Sequence, residues 1–262
     1  MFDKVTALRF DRRMGSGKTK PCLLACMKPD GEEVELIAKF SAGCERGVMA
    51  LAVESLSAML AADLHLPIPE PFCVEADSEF IQTITDPEIA ALARKSAPLA
   101  FGSKKLPPGF ATIPTDKAIP PDLLDPAAEI FAFDALILNP DRRPSNPNCL
   151  SDGRSFAIYD HELAFMLETL FWQPPWTPGS LHTLSQPSQH IFSNGLKGKA
   201  PNFNRLADAW KAITDARLTE YRNALPAAWS NDGDAISRVL GYISQLREHI
   251  APALAEVARV LK

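Results

Sequence analysis

The chain has 262 residues, 46% of them hydrophobic and 23% charged, a composition that suits a globular protein with a sizeable core and excludes a disordered chain. Its formal charge of −5 comes without long runs of one sign, so it offers no electrostatic footprint for nucleic acid or an anionic membrane. Five cysteines are an odd number with no C-x-x-C pair, which argues against a zinc site or a disulfide frame.

In chain order, Met1-Phe2-Asp3-Lys4 carries no apolar signal core and no stretch approaches the length of a membrane span, so a cytoplasmic protein is expected. Residues 5–10, 23–27 and 34–40 read as three strands of a small antiparallel sheet, the last two joined by the turn Pro29-Asp30-Gly31. Cys22 and Cys26 fall on one strand face as small hydrophobes. Residues 12–20 (RRMGSGKTK) form a polar turn. It is not a Walker loop, because that pattern needs glycine where Arg12 stands and opens a helix, whereas a strand follows here. Two readings stay open. One is a plain β-turn; the other is a glycine-rich hairpin whose backbone N–H groups lie over nucleotide phosphates, with Gly15, Ser16, Gly17 and Lys18 as binding residues.

In Leu36-Ile37-Ala38-Lys39-Phe40, alternation sets Lys39 on the face opposite Leu36, Ala38 and Phe40. Residues 47–62 (GVMALAVESLSAMLAA) form a helix with a single charge, Glu54, whose neighbours three and four positions away are Ala50, Leu51, Ser57 and Ala58. A carboxylate on so apolar a surface needs a cationic partner or takes up a proton, and Lys39 is the nearest candidate. Kinases fix their nucleotide lysine with such a strand Lys and helix Glu. Leu66-Pro67-Ile68-Pro69 ends the helix, with His65 as a structural or surface residue. Residues 71–75 and 79–84 suggest a strand pair, and 86–98 a short helix. Residues 99–103 (LAFGS) are the candidate segment joining two lobes, where backbone groups read an adenine edge. Pro107, Pro108, Pro114, Pro120 and Pro121 mark a loop-rich boundary, dividing the chain into lobes 1–120 and 121–262.

Residues 127–138 are apolar nearly all round and read as a buried helix delivering the chain to Asn139-Pro140-Asp141. Residues 148–150, 151–154 and 155–159 then read as strand, turn and strand, with Asp160 at the exit. Asp141, Asn146 and Asp160 are the set that phosphoryl transfer with Mg-ATP needs: one carboxylate to orient the nucleophile's proton, and an amide oxygen and second carboxylate for metal ions. D-x-x-x-x-N is also the spacing of a protein-kinase catalytic loop. The competing reading is a surface turn, since Asp, Asn, Pro and Arg are ordinary turn residues. Further on, Trp172, Pro174, Pro175, Trp176 and Pro178 open an irregular passage to about Asn204 that either frames an acceptor site or packs as a rigid element. Leu206, Trp210, Ile213, Arg217 and Tyr221 follow helical spacing, as do Ile236, Val239, Leu240, Ile243 and Leu246. Pro252 suits the first turn of a last helix.

The ordered set MGSGKTKP, LIAKF, VESL followed by LPIPEP, FDALILNPDRRPSNPNCL and AIYDHELAF resembles the HipA-like bacterial kinases, in their compact stand-alone form. DRRPSN followed by AIYDHELAF is also similar to the catalytic segment of phosphatidylinositol 3- and 4-kinases. The resemblance implies an α+β, bilobal protein-kinase-like fold, with a small antiparallel sheet plus helix in the N-lobe and a mainly helical C-lobe. It implies an ATP- and Mg²⁺-dependent phosphotransferase acting on a protein serine or threonine hydroxyl. By the same resemblance Lys39 is the nucleotide lysine, Glu54 its helix partner, Asp141 the catalytic-loop carboxylate, and Asn146 and Asp160 the metal ligands. Arg142 or Arg143 meets phosphate charge, and Asn148 competes with Asn146 for the metal. His161-Glu162 stands where protein kinases have Phe-Gly, so their in/out switch is not carried over. The larger HipA toxins have additional N-terminal sequence that helps engage an antitoxin, whereas this chain starts almost directly at the glycine-loop sheet; a toxin role and a regulatory protein partner are left open. Two alternatives are a catalytically silent kinase fold that senses nucleotide or binds a partner, and a small-molecule or lipid kinase, which the lack of a basic or membrane-seeking surface disfavours.

Overall fold

A computed structural model describes residues 2–15, 17–114, 118–167, 173–186, 188–230 and 233–262. The chain divides into two compact units, Met1–Met59 with Pro69–Leu106 and Tyr221–Ile236, and Leu60–Ile68 with Pro107–Glu220 and Ser237–Lys262.

In the first unit, β1 (Asp3–Arg13), β2 (Cys22–Met27), β3 (Glu33–Lys39), β4 (Pro71–Glu75) and β5 (Leu99–Lys104) form a closed barrel in the order β1-β2-β3-β5-β4. The small antiparallel sheet expected from the sequence is thereby corrected, because β1 and β4 pair in parallel and close it. The reason lies in β1. Register shifts between Ala7 and Arg9 and between Phe10 and Arg12 bend the strand, so that Asp3–Thr6 reach β4 while Thr6–Arg13 follow β2. Alternate side chains fill the interior, among them Cys22, Leu24, Cys26, Leu36, Ala38, Phe72 and Val74. Burial pushes the thiols of Cys22 and Cys26 up to about 12, which leaves them inert, and all five cysteines are buried.

Two further expectations change in this unit. Residues 79–84 are not a strand: α1 (Val48–Asp63) is followed, after β4, by the helices α2 (Ser78–Thr83) and α3 (Pro87–Lys95). Asp77 accepts a hydrogen bond from Phe80 N at 2.7 Å, and Asp86 accepts from Glu88 N and Ile89 N, so each helix has an acidic N-cap that outweighs the local alternation. Residues 99–103 are not a free connecting segment either, since they belong to β5, which pairs with β4 along Leu99–Ser103 and with β3 from Phe101 onward. His65 is exposed, with φ of 56° just past α1, the left-handed position that ends a helix.

The second unit holds β6 (Ala111–Thr112), α4 (Leu124–Leu136), β7 (Cys149–Ser151) and β8 (Phe156–Ile158), the strands in the order β6-β7-β8. It continues with α5 (Ser193–Leu196), α6 (Asn204–Ala212), the larger parts of α7 (Asp215–Ala224) and α8 (Gly233–Glu248), and α9 (Ile250–Val260). The expected helix α4 is buried on every face from Ala127 to Leu136 and packs against β8, α5 and α9. Its charge at Glu129 is met by Arg205, whose Nε lies 2.7 Å from Oε1. The helical spacing through 206–221 proves to be two helices: Ile213 turns extended, Arg247 donates to its carbonyl at 2.9 Å, and Thr214 Oγ1 accepts from Arg217 N. Trp176 stacks on His249 with ring centroids 4.8 Å apart, which makes it a packing element; Trp172 lies outside the described residues. Among the described residues no helix is long and apolar enough to cross a membrane.

Barrel closure makes a test. A Cβ at Gly102 would lie 2.7 Å from Val74 Cγ2 and 3.1 Å from Leu36 Cδ1. Gly102→Ala is expected to lose about 1–3 kcal/mol, read from the urea midpoint. Gly15→Ala, where nothing lies within 4 Å of a Cβ, should leave the midpoint unchanged.

Candidate active site

In the first unit Lys39, at the end of β3, places Nζ 3.1 Å from Glu54 Oε2 on α1, with both side chains nearly inaccessible to water. The lone charge in an apolar helix has found the strand lysine. A buried pair of this kind adds little net stability, but it fixes the ammonium in one position. Between β1 and β2, Met14 N donates to Pro21 O at 2.8 Å and Lys20 N to Gly17 O at 3.2 Å. Gly17 has φ of 110°, and a Cβ there would meet Pro21 Cδ at 2.9 Å, so glycine is required. Gly15 and Lys18 are exposed in the same loop, and Ser16 lies outside the described residues. Arg13 and Lys20 both bind Glu88 and are thereby drawn to the barrel surface.

In the second unit α4 runs into the loop that carries Asp141. The half-buried Asp141 carboxylate accepts from Asn146 Nδ2 at 2.7 Å and from Asn148 Nδ2 at 3.1 Å, both at Oδ2. Burial raises the Asp141 carboxyl pKa above the ordinary carboxylate value; the charge of Asp160 raises it further, while the two amides oppose this. The structure therefore gathers Asp141, Asn146, Asn148 and Asp160 into one cluster. The backbone there is strained: Leu138, Asn148, Asp160 and Phe165 have φ of 57°, 44°, 64° and 56° without being glycine. Such conformations persist only where the surroundings over-determine them.

Arg142 supplies that determination. Its side chain is fully buried, and all five guanidinium N–H groups are committed. Nε donates to Asp134 Oδ2 at 2.5 Å, Nη2 to Asp134 Oδ1 at 3.2 Å and to His161 Nε2 at 2.7 Å, and Nη1 to the carbonyls of Asn148 and Tyr159. The expectation that Arg142 meets phosphate charge is corrected on this ground, for it has no donor left and no access. Arg143 is the exposed neighbour, its Nε donating to Pro140 O at 2.7 Å. Burial alone would raise the Asp134 carboxyl, but Arg142 and His190 reverse this and hold it well below the usual range. His190 Nε2 donates to Asp134 Oδ2 at 3.1 Å while its Nδ1 accepts from Phe192 N, and burial lowers its pKa, so the ring stays neutral. Asn139 completes the frame, donating to Asp134 Oδ1 at 2.7 Å and accepting from Asp141 N.

A family model described as HipA-like kinase matches residues 8–255. The chain belongs to the HipA-like kinase family. Among solved structures it is similar to the proinflammatory kinase CtkA of Helicobacter pylori, at 12% identity over 100% of this chain and 97% of that one, with a TM-score of 0.48. A MAP kinase of Leishmania major is similar at 11% identity over 95% and 81% of the two chains, with a TM-score of 0.32. No curated protein matches.

In this HipA-like kinase the residues that sequence reasoning missed are Asp134, Asn139 and His190. Asp134 carried a usable signal of the kind that pointed from Glu54 to Lys39: a carboxylate set in an apolar stretch of helix, between Phe133 and Ala135. Nothing in the sequence marks His190, which reaches Asp134 from 56 positions away.

Arg142→Met leaves Asp134 buried without its cation and should cost about 3–5 kcal/mol in chemical unfolding. Asp134 and His190 both bind protons more weakly folded than unfolded. Stability should therefore fall as pH drops through about 6.5, where an unfolded imidazole protonates, and fall again below about 4 as unfolded carboxylates do. Melting temperatures at pH 8 to 5 check this, and His190→Asn should flatten the first decline.

Proposed function

We propose that the chain is an ATP- and Mg²⁺-dependent phosphotransferase acting on a serine or threonine hydroxyl of a protein. It is a bilobal kinase in which residues 1–120 serve the nucleotide and residues 121–262 the chemistry. The observation that carries this reading is the cluster around Asp141: two carboxylates close enough for the charge on one to raise the pKa of the other, beside two amides. That donor set fits a hard divalent cation, which takes carboxylate and amide oxygens and relieves carboxylate repulsion.

Asn146 and Asp160 are the residues assigned to the metal, with Asn148 holding Asp141 in place. Asp141 Oδ2 is committed to the amides, so Oδ1 is the atom assigned to orient the acceptor hydroxyl and take its proton. Lys39, fixed by Glu54, meets nucleotide phosphate, and the backbone N–H groups of the loop containing Gly15, Ser16, Gly17 and Lys18 lie over it. The role first assigned to Arg142 passes to Arg143. When bound, Mg-ATP supplies the phosphoryl group and the cation that neutralises its charge. Everything else is positioning by the protein.

Thermal melting with nucleotide tests the reading. At ~100-fold excess over its dissociation constant, Mg-ATP should stabilise the fold by about 2.7 kcal/mol. Asp160→Ala should lose the Mg²⁺-dependent part, Lys39→Met should weaken binding with or without Mg²⁺, and Asp141→Ala should bind nucleotide while losing turnover. No shift at millimolar nucleotide overturns the proposal.

A further inference from the structure

The β6-β7-β8 end of the second unit contains a groove of about 770 Å³, lined by residues within 111–114, 118–121, 123–124, 151–156 and 191–199. Ile113, Ile119, Leu124, Phe156, Ile191 and Phe192 make its lining largely apolar. Lys197 and Lys199 stand exposed on one rim, and no described lining residue is acidic. Among the described residues neither lysine has a carboxylate partner. Nearby Asp152 is exposed but does not line the groove, and its Oδ1 accepts from Arg154 N at 2.9 Å and Ser155 N at 2.8 Å in the β7–β8 turn. Asp141, Asn146 and Asp160 do not line the groove, so it is separate from the proposed chemistry.

β6 adds a second, independent feature. It pairs with β7 on one side only, and its other edge meets no described strand. Ala111 and Thr112 are exposed and lie in the groove wall. An open strand edge offers main-chain donors and acceptors to an incoming extended chain. Together these features specify an occupant: main-chain groups for β6, apolar side chains for the lining and carboxylates for the two lysines. A fatty acid would satisfy the lining and the lysines but leave the strand edge unused.

We infer that this groove docks an extended, apolar peptide segment of a partner protein that carries acidic residues at one end. The lysine rim selects against basic segments and makes binding weaken with salt. The interaction goes beyond phosphoryl transfer and does not require it, so it should persist in Asp141→Ala, and either proposal can fail alone.

Panning a phage-displayed library of random peptides, about twelve residues long, on the full chain tests the inference. Selected sequences should alternate apolar residues and end in Asp or Glu. Fluorescence anisotropy with a synthetic selected peptide should then show about tenfold weaker binding to Ile119→Arg and to the surface double variant Lys197→Glu with Lys199→Glu. A peptide with its acids changed to lysine should regain affinity on that double variant, which separates lost charge from lost folding. The inference is overturned by no enrichment, by equal binding to parent and variants, or by displacement with Mg-ATP. It is overturned equally if oleate competes with the peptide, or if sedimentation shows a second copy of the chain held through the same residues.

Discussion

The buried ion pair between Asp134 and Arg142 joins the last turns of α4 to both ends of the β7–β8 hairpin. Asp134 stands on a helix buried all round, and Arg142 reaches back to it from the loop that follows. Opposite charges in such a place lose their hydration, so the pair is tolerated only because each remaining polar group has a partner. Here the two carboxylate oxygens are shared among Arg142, Asn139 and His190, and the guanidinium spends its other donors on Asn148 O, Tyr159 O and His161. Those carbonyls belong to the residues just before β7 and just before Asp160. One side chain therefore sets where the loop with Asp141 ends and where Asp160 begins.

The strain in the loop follows from that constraint. Asn148 and Asp160 both hold positive φ, a conformation costing roughly 1–3 kcal/mol for a residue with a side chain. A loop free to relax would abandon it. Held by the Arg142 bonds to the carbonyls of Asn148 and Tyr159, these residues cannot, and the outcome is a cluster in which the charges of Asp141 and Asp160 oppose each other while Asn146 and Asn148 donate to Asp141. Lys39 and Glu54 show the other use of a buried pair. There the lysine at the end of β3 is the group being held, and Glu54 on α1 is the holder.

Much of this was legible in the sequence where one local pattern decides the outcome. A single charge in an apolar helix pointed from Glu54 to Lys39, and the apolar run before Asn139-Pro140-Asp141 announced α4. Patterns with two competing readings failed. Residues 79–84 alternate like a strand, yet Asp77 caps them into a helix. Arg142 and Arg143 are adjacent and chemically identical, and only the fold shows which one turns inward. Barrel closure was hidden because it depends on irregularities in β1 that no residue type announces. His190 was hidden because its partner is remote in the chain.

Native-state hydrogen exchange across increasing denaturant tests most directly whether one buried pair organises the whole cluster. The relevant amides are Asn139 N on Asp134 O, Tyr159 N on Asn148 O and Ile191 N on Arg142 O. If the Asp134–Arg142 pair ties these segments together, the three amides open as one unit, with a common free energy and a common dependence on denaturant. Exchange of Tyr159 and Ile191 at a far lower free energy than Asn139, with separate denaturant slopes, would contradict it.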